Sequence, residues 1–152
     1  EEEVVVDAVR NATSQRQLAT ARMYASEAAC AMGDAVQSML HLVGDGKDDA
    51  FDRLASDLAG GVTIETAASN PSATRRLAKA QTFVRCSASA ASAHLGNLPA
   101  AKQLAMSAQA MEDAARPLVS RGEGSSARRA LVYCLLREGN SGAALTLMRS
   151  VR

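Results

Sequence analysis

Tryptophan is absent from this 152-residue chain, and with two tyrosines and two phenylalanines the aromatics make up 3% of it. A β-sandwich draws its core from β-branched and aromatic side chains, so this composition argues against one. Cysteine is scarce, odd in number and widely spaced, at Cys30, Cys86 and Cys134. A disulfide framework needs an even, clustered set, so a reducing compartment is expected. No Cys-x-x-Cys or His-x-x-x-His spacing occurs, which leaves zinc without a motif. No glycine-rich nucleotide fingerprint occurs either. No apolar run approaches the roughly 18 residues of a membrane span, and no basic-then-apolar leader opens the chain. The expectation is a soluble, cytoplasmic protein with no membrane and no small-molecule substrate. Its first residue is Glu1 rather than Met, as in a piece cut from a longer chain.

What is abundant is small and aliphatic. Hydrophobic residues are 47% of the chain, so the core must be built from Ala, Leu, Val and Met, which suits close helix–helix packing. The length fits one compact body or one short solenoid. Net charge is +1, but residues 1–70 hold 5 basic and 12 acidic side chains, and residues 71–152 hold 12 and 4. An acidic end and a basic end imply either different neighbours or attraction between the two halves.

Helix punctuation is frequent. Three glutamates, which suit a helix N-terminus electrostatically, open a short apolar stretch over 4–11; Ser14 then stands three residues before Gln17 in a capping-box spacing, so the helix of the first hairpin is expected to start there. Leu18, Ala21, Ala25, Ala28 and Met32 then recur at helical intervals until Gly33-Asp34. A second helix follows to Gly44. Residues 44–71 read as a connecting insertion with one short amphipathic helix, through Phe51, Leu54, Ala55 and Leu58, ended by Gly60-Gly61. Asn70-Pro71 opens a long helix to Leu95, Pro99 opens another to Arg116 before Pro117, Ser125 or Ser126 caps a third to Glu138, and the last runs from Ser141 to about Ser150. The fold class is all-α.

Three segments share one grammar, a helix, then Gly and a polar residue, then a second helix: Gly33-Asp34, Gly96-Asn97 and Gly139-Asn140. Five residues after each glycine come Ser38, Ala101 and Ala144; seven before come Ser26, Ser89 and Val132. Twelve after come Asp45, Ala108 and Val151, so the first unit has lost its second small site. Helices that cross closely need Gly, Ala or Ser at the crossing, which explains the spacing. The pattern resembles the tetratricopeptide repeat. It implies one helical-repeat domain over 1–152, a short α-solenoid of hairpins at about 14–43, 72–116 and 125–151.

The order of the pieces is similar to one family in particular. Met23-Tyr24-Ala25-Ser26-Glu27-Ala28, running to His41-Leu42, is followed by an acidic insertion, and then by a helix from Ala80 to Gly96. The closing run Arg129-Ala130-Leu131-Val132-Tyr133-Cys134-Leu135-Leu136-Arg137-Glu138-Gly139-Asn140, with Ala143-Ala144-Leu145, completes it. Over residues 22–43 and 72–151 this resembles the C-terminal repeats of subunit ten of the CCR-NOT mRNA deadenylase complex. The resemblance implies a non-catalytic scaffold acting in cytoplasmic mRNA decay. By the same resemblance its partners would be subunit eleven and the N-terminal region of the NOT scaffold.

In a tetratricopeptide array the first helix of each pair lines an inner groove. Counting back from the turn glycines puts Met23, Glu27 and Cys30 there, then Phe83, Cys86, Ala90 and His94, then Arg129, Tyr133 and Arg137. Arg129, Tyr133 and Arg137 stand at i, i+4 and i+8 on one helix face, and Arg and Tyr are enriched in interface hot spots. Glu27, Phe83, His94, Arg129, Tyr133 and Arg137 are therefore the candidate partner-binding residues. Tyr133 would otherwise pack the last helical pair, Tyr24 is expected in the core, and His94 would favour the dipole at its helix C-terminus.

Other chemistry finds less support. A Cys–His catalytic pair with His41 or His94 is formally possible, but free cysteines in apolar helical patterns usually act as small hydrophobes. Asp45, Asp48, Asp49 and Asp52 lack the calcium-loop pattern, with Gly46 misplaced, and read as a solvated turn and N-cap. No catalytic residue, cofactor or metal is expected. The alternative function is a helical RNA-binding domain using Arg75, Arg76, Lys79, Arg128, Arg129 and Arg137, but only Phe83 and Tyr133 could stack bases.

Overall fold

Neither glycine nor proline occurs before Gly33, so nothing interrupts a helix there. The computed structural model describes residues 2–44, 46, 48–115 and 125–149, and in it one continuous helix, α1 (Glu2–Ala31), opens the fold. The helix start expected at Ser14 is thus corrected. Ser14 and Gln17 are exposed mid-helix, because a capping spacing ends nothing while the residues before it also favour the helix. The order continues α2 (Ala35–Val43), α3 (Ala50–Leu58), α4 (Ile64–Ala67), α5 (Pro71–His94), α6 (Leu98–Ala115), α7 (Ser125–Arg137) and α8 (Ser141–Arg149). The described residues contain no strand, and no helix among them is long and apolar enough to cross a membrane. Arg116, Pro117, Asp45, Ser150 and Val151, on which expected helix limits or small-residue positions fall, lie outside the described residues.

The Gly-Asp/Asn grammar has a direct physical cause. At the end of α5, the Gly96 N–H donates to Ala93 O at 3.0 Å and the Asn97 N–H to Ser92 O at 2.9 Å, the paired bonds of a left-handed helix stop. Gly96 has φ +83°, a conformation that side chains with a Cβ resist. Asn97 then turns from stop to start, accepting the Ala100 N–H at 3.2 Å on its Oδ1. Asp34 does the same for Gln37 (3.0 Å) and Asn140 for Ala143 (3.2 Å). Two residues therefore end one helix and cap the next, folding the chain back as a hairpin three times. Asn70 caps α5 in the same way, accepting from Ser72 and Ala73, with Pro71 in the first turn.

The small residues flanking these turns are where the helices cross. Ser26 and Ser38 are fully buried: each hydroxyl donates to the other's carbonyl, at 2.9 and 2.8 Å, and the two oxygens are 2.9 Å apart. In the next hairpin Ser89 Oγ donates to Ala101 O at 2.7 Å. A larger side chain at any of these positions would hold the backbones too far apart. The hairpins α1–α2, α5–α6 and α7–α8 pack in succession, α2 on α5 and α6 on α7, with α1, α5 and α7 side by side.

Residues 44–71 are not a linker. Leu54, Ala55, Ala59, Val62 and Ala67 join Ala19, Met23, Leu42, Leu77 and Val84 in the largest apolar cluster. Met23, expected in the groove, is thereby a core residue, fully buried under α3. Tyr24, expected in the core, is exposed. A threonine pair sets α4: Thr63 Oγ1 accepts the Thr66 N–H and Thr66 Oγ1 accepts the Thr63 N–H. Arg22 closes α2, its Nε donating to His41 O at 2.9 Å and its Nη2 to Leu42 O at 3.2 Å. A Cβ at Gly44 would stand 2.8 Å from that Nη2, so the glycine and the arginine cap belong together.

Candidate protein-binding groove

Because α1, α5 and α7 lie side by side, the residues one turn apart on their common face converge. They enclose a hollow of about 400 Å³ whose floor is the buried Ser26–Ser38 crossing. Glu27 and Cys30 form its α1 wall, and Phe83, Cys86, Ala90 and His94 its α5 wall. Six of the seven groove positions expected on these two helices thus meet at one cavity; Met23 is the exception. Ser126 adds α7, a residue the sequence offered only as a helix cap.

The α7 candidates form the rim beside this hollow. Arg129 Nη2 lies 3.5 Å from Ser126 Oγ, at the limit of a hydrogen bond. Tyr133 stands against His94, with ring centroids 6.4 Å apart and planes tilted by 42°. Arg137 Nη1 donates to Tyr133 Oη at 2.9 Å, and its guanidinium carbon sits 5.7 Å from the ring centroid. The hydrogen bond is the tighter tie, since cation–π attraction fades near 6 Å. Arg137 therefore holds the phenol in place, and both side chains keep exposed surface. The groove is apolar along α5, acidic at Glu27 and basic at Arg129 and Arg137.

Cys86 does not act as a thiolate here. Burial, with Glu112 adding to it and Arg129 opposing, raises its pKa from the ordinary 9.0 to about 12. The thiol stays protonated through neutral and mildly alkaline pH and serves as a soft apolar wall. Alkylation of the folded chain with iodoacetamide should consequently leave Cys86 largely unmodified at pH 8, and its rate should keep rising with pH well beyond 9, followed by peptide mass spectrometry. Saturation near pH 9 would contradict the assignment. Cys134 is fully buried, 3.7 Å from Ser89 Oγ.

The remaining polar clusters serve the fold. Asp49 pairs with Arg53 at 2.9 Å and Asp52 with Arg85 at 2.8 Å, tying α3 to itself and to α5. Among the described residues no group of three or more His, Cys, Asp or Glu is placed to hold a metal ion. Arg75, Arg76 and Lys79 stand on the first turns of α5, the half that packs against α3 and α4, while Arg128, Arg129 and Arg137 belong to α7. A second hollow of about 450 Å³ is lined by Gln15, Arg22, Arg53 and Asp57, where burial raises the carboxyl pKa of Asp57 against the pull of both arginines. Compared with known proteins, the chain matches no family model, no curated protein and no solved structure.

Proposed function

We propose that the chain is a tetratricopeptide-like stretch of α-solenoid that binds another protein in the groove between α1, α5 and α7, as a scaffold without chemistry of its own. One observation carries the reading. Residues far apart in sequence, Glu27, Phe83 and His94 with Arg129, Tyr133 and Arg137 at the rim, frame one half-open apolar hollow. A cavity of this size accepts a few side chains, as an anchor for a helix or an extended segment laid along the groove. The rim arginines favour a segment carrying acidic groups on the α7 side. By the sequence resemblance, the proposed setting is the CCR-NOT mRNA decay complex in the cytoplasm, with subunit eleven and the N-terminal region of the NOT scaffold as partners.

The test is an affinity pull-down from cytosolic extract, with and without nuclease, read by mass spectrometry. Nuclease-resistant recovery of NOT-scaffold and deadenylase subunits supports the proposal. Recovery only of RNA-binding proteins that vanish with nuclease would overturn it in favour of RNA contact through the basic half. With a recovered partner in hand, Arg129→Glu combined with Arg137→Glu should weaken binding about tenfold or more while leaving the helical circular-dichroism signal unchanged. Unchanged affinity would remove the α7 rim from the interface.

A further inference from the structure

The turn glycines give the groove a register, and along it the charge is laid out in order. Six residues before each glycine stand Glu27 in α1, Ala90 in α5 and Tyr133 in α7; two before stand Ala31, His94 and Arg137. Because α1, α5 and α7 lie side by side, the groove runs from a carboxylate on α1, across the hollow walled by Phe83 and Cys86, to a cluster of donors on α7.

Both ends are unspent. Glu27 is exposed and takes part in no hydrogen bond or ion pair among the described residues. At the far end Tyr133 Oη accepts the Arg137 N–H at 2.9 Å, which leaves the phenol hydrogen free to donate elsewhere. Arg137 spends one N–H on that bond and keeps the rest of its fork. Its neighbour Glu138 does not neutralise it, being paired with Lys102 at 3.2 Å. His94 stands against the same phenol ring. Arg129 adds less, because Glu112 shares its end of the groove and acts on the Cys86 thiol with the opposite sign. The guanidinium and the phenol thus offer a carboxylate two kinds of donor, one of them charged.

The hollow also restricts shape. A helix about 10 Å across does not enter a space of about 400 Å³, whereas alternate side chains of an extended segment do. Two steps between neighbouring helix axes, at about 8–10 Å each, correspond to about five to six residues of extended chain.

We propose that the groove takes an extended segment with a basic side chain at Glu27, an apolar one in the hollow and a carboxylate side chain at Tyr133 and Arg137, the two charges about five to six residues apart. The inference rests on the proposed groove and adds the charge order of its occupant.

A phage-displayed library of random, unstructured peptides about twice that span, selected on the immobilised chain, tests it. The enriched sequences should flank an apolar residue with Lys or Arg on one side and Asp or Glu on the other. Selection on Glu27→Lys should replace the basic residue by an acidic one, and selection on Arg137→Glu the acidic by a basic one, each leaving the other position unchanged. Both substitutions fall at exposed positions, and circular dichroism checks that each variant is folded. In fluorescence anisotropy the best wild-type peptide should bind Glu27→Lys about tenfold or more weakly, and should recover once its own basic residue is changed to Glu. Enriched peptides without the charge pair, or with the same pair after either swap, would overturn the proposal and leave the groove reading standing. No enrichment at all would overturn both. So would capture that persists in Ala90→Trp, which fills the hollow, and in Phe83→Glu, which charges its wall.

Discussion

Leu54→Ala is expected to destabilise the fold by about 2–5 kcal/mol, the range for truncating a well-packed buried leucine. Leu54 sits on α3 within the stretch 44–71, and only 1% of its surface is exposed. It packs in one cluster with Met23 from α1, Leu42 from α2 and Leu77 and Val84 from α5, so three other helices line the space its side chain would vacate. These neighbours belong to long helices fixed elsewhere by the Ser26–Ser38 crossing and the hairpin turns, and they cannot all collapse inward. The cavity should therefore persist. Urea unfolding followed by circular dichroism should give a lower midpoint with an unchanged slope. Ile64→Ala, at an exposed position of α4, is the control and should stay within about 0.5 kcal/mol of the parent. If the stretch were a connecting linker, the two variants would behave alike.

That stretch also marks the limit of what the sequence discloses. Helix ends were legible wherever backbone chemistry forces a residue type: Gly33-Asp34, Gly96-Asn97 and Gly139-Asn140 each need a left-handed stop followed by an oxygen cap, and Asn70-Pro71 needs a cap and a pre-set φ. The short helix α3 was legible from Phe51, Leu54, Ala55 and Leu58. Its burial was not, because the surface that covers it comes from α1 and α5, tens of residues away. Ser14 misled for the reverse reason. A cap spacing marks a start only if the preceding residues leave the helix, and residues 2–13 have no breaker to make them do so.

The groove was legible in part on the same terms. Helical spacing alone put Glu27 and Cys30 on one face of α1, and Phe83, Cys86, Ala90 and His94 on one face of α5. That these faces look at each other depends on the side-by-side packing of α1 and α5, which the small residues at the crossings permit but do not encode by themselves. Met23 lies one turn from Glu27, yet α3 covers it, and no local signal distinguishes the two positions. Thr63 and Thr66 did carry a readable signal, a reciprocal cap three residues apart ahead of Ile64.

Ala101→Leu should destabilise the fold by about 3 kcal/mol, near the upper end for overpacking a tight core. Ala101 is fully buried, and its carbonyl accepts the Ser89 hydroxyl at 2.7 Å, so α5 and α6 approach closely at this residue. Three added carbons have no void to enter. They must push α6 away, which breaks the Ser89 bond and opens the packing of Ala105 beneath α7. The same position in the other hairpins grades the effect. Ser38→Leu should cost more, because it also removes a buried hydroxyl bonded to Ser26 O. Ala144→Leu should cost less, because among the described helices α8 packs on α7 alone and can shift outward. Gln103→Leu, two residues along and exposed, controls for leucine itself. The order Ser38, Ala101, Ala144, Gln103 in unfolding midpoints is expected if close crossing at a fixed distance from each glycine is what builds the stack. Equal midpoints for Ala101→Leu and Gln103→Leu would mean that the spacing of small residues is incidental, and the shared register of the hairpins would fall with it.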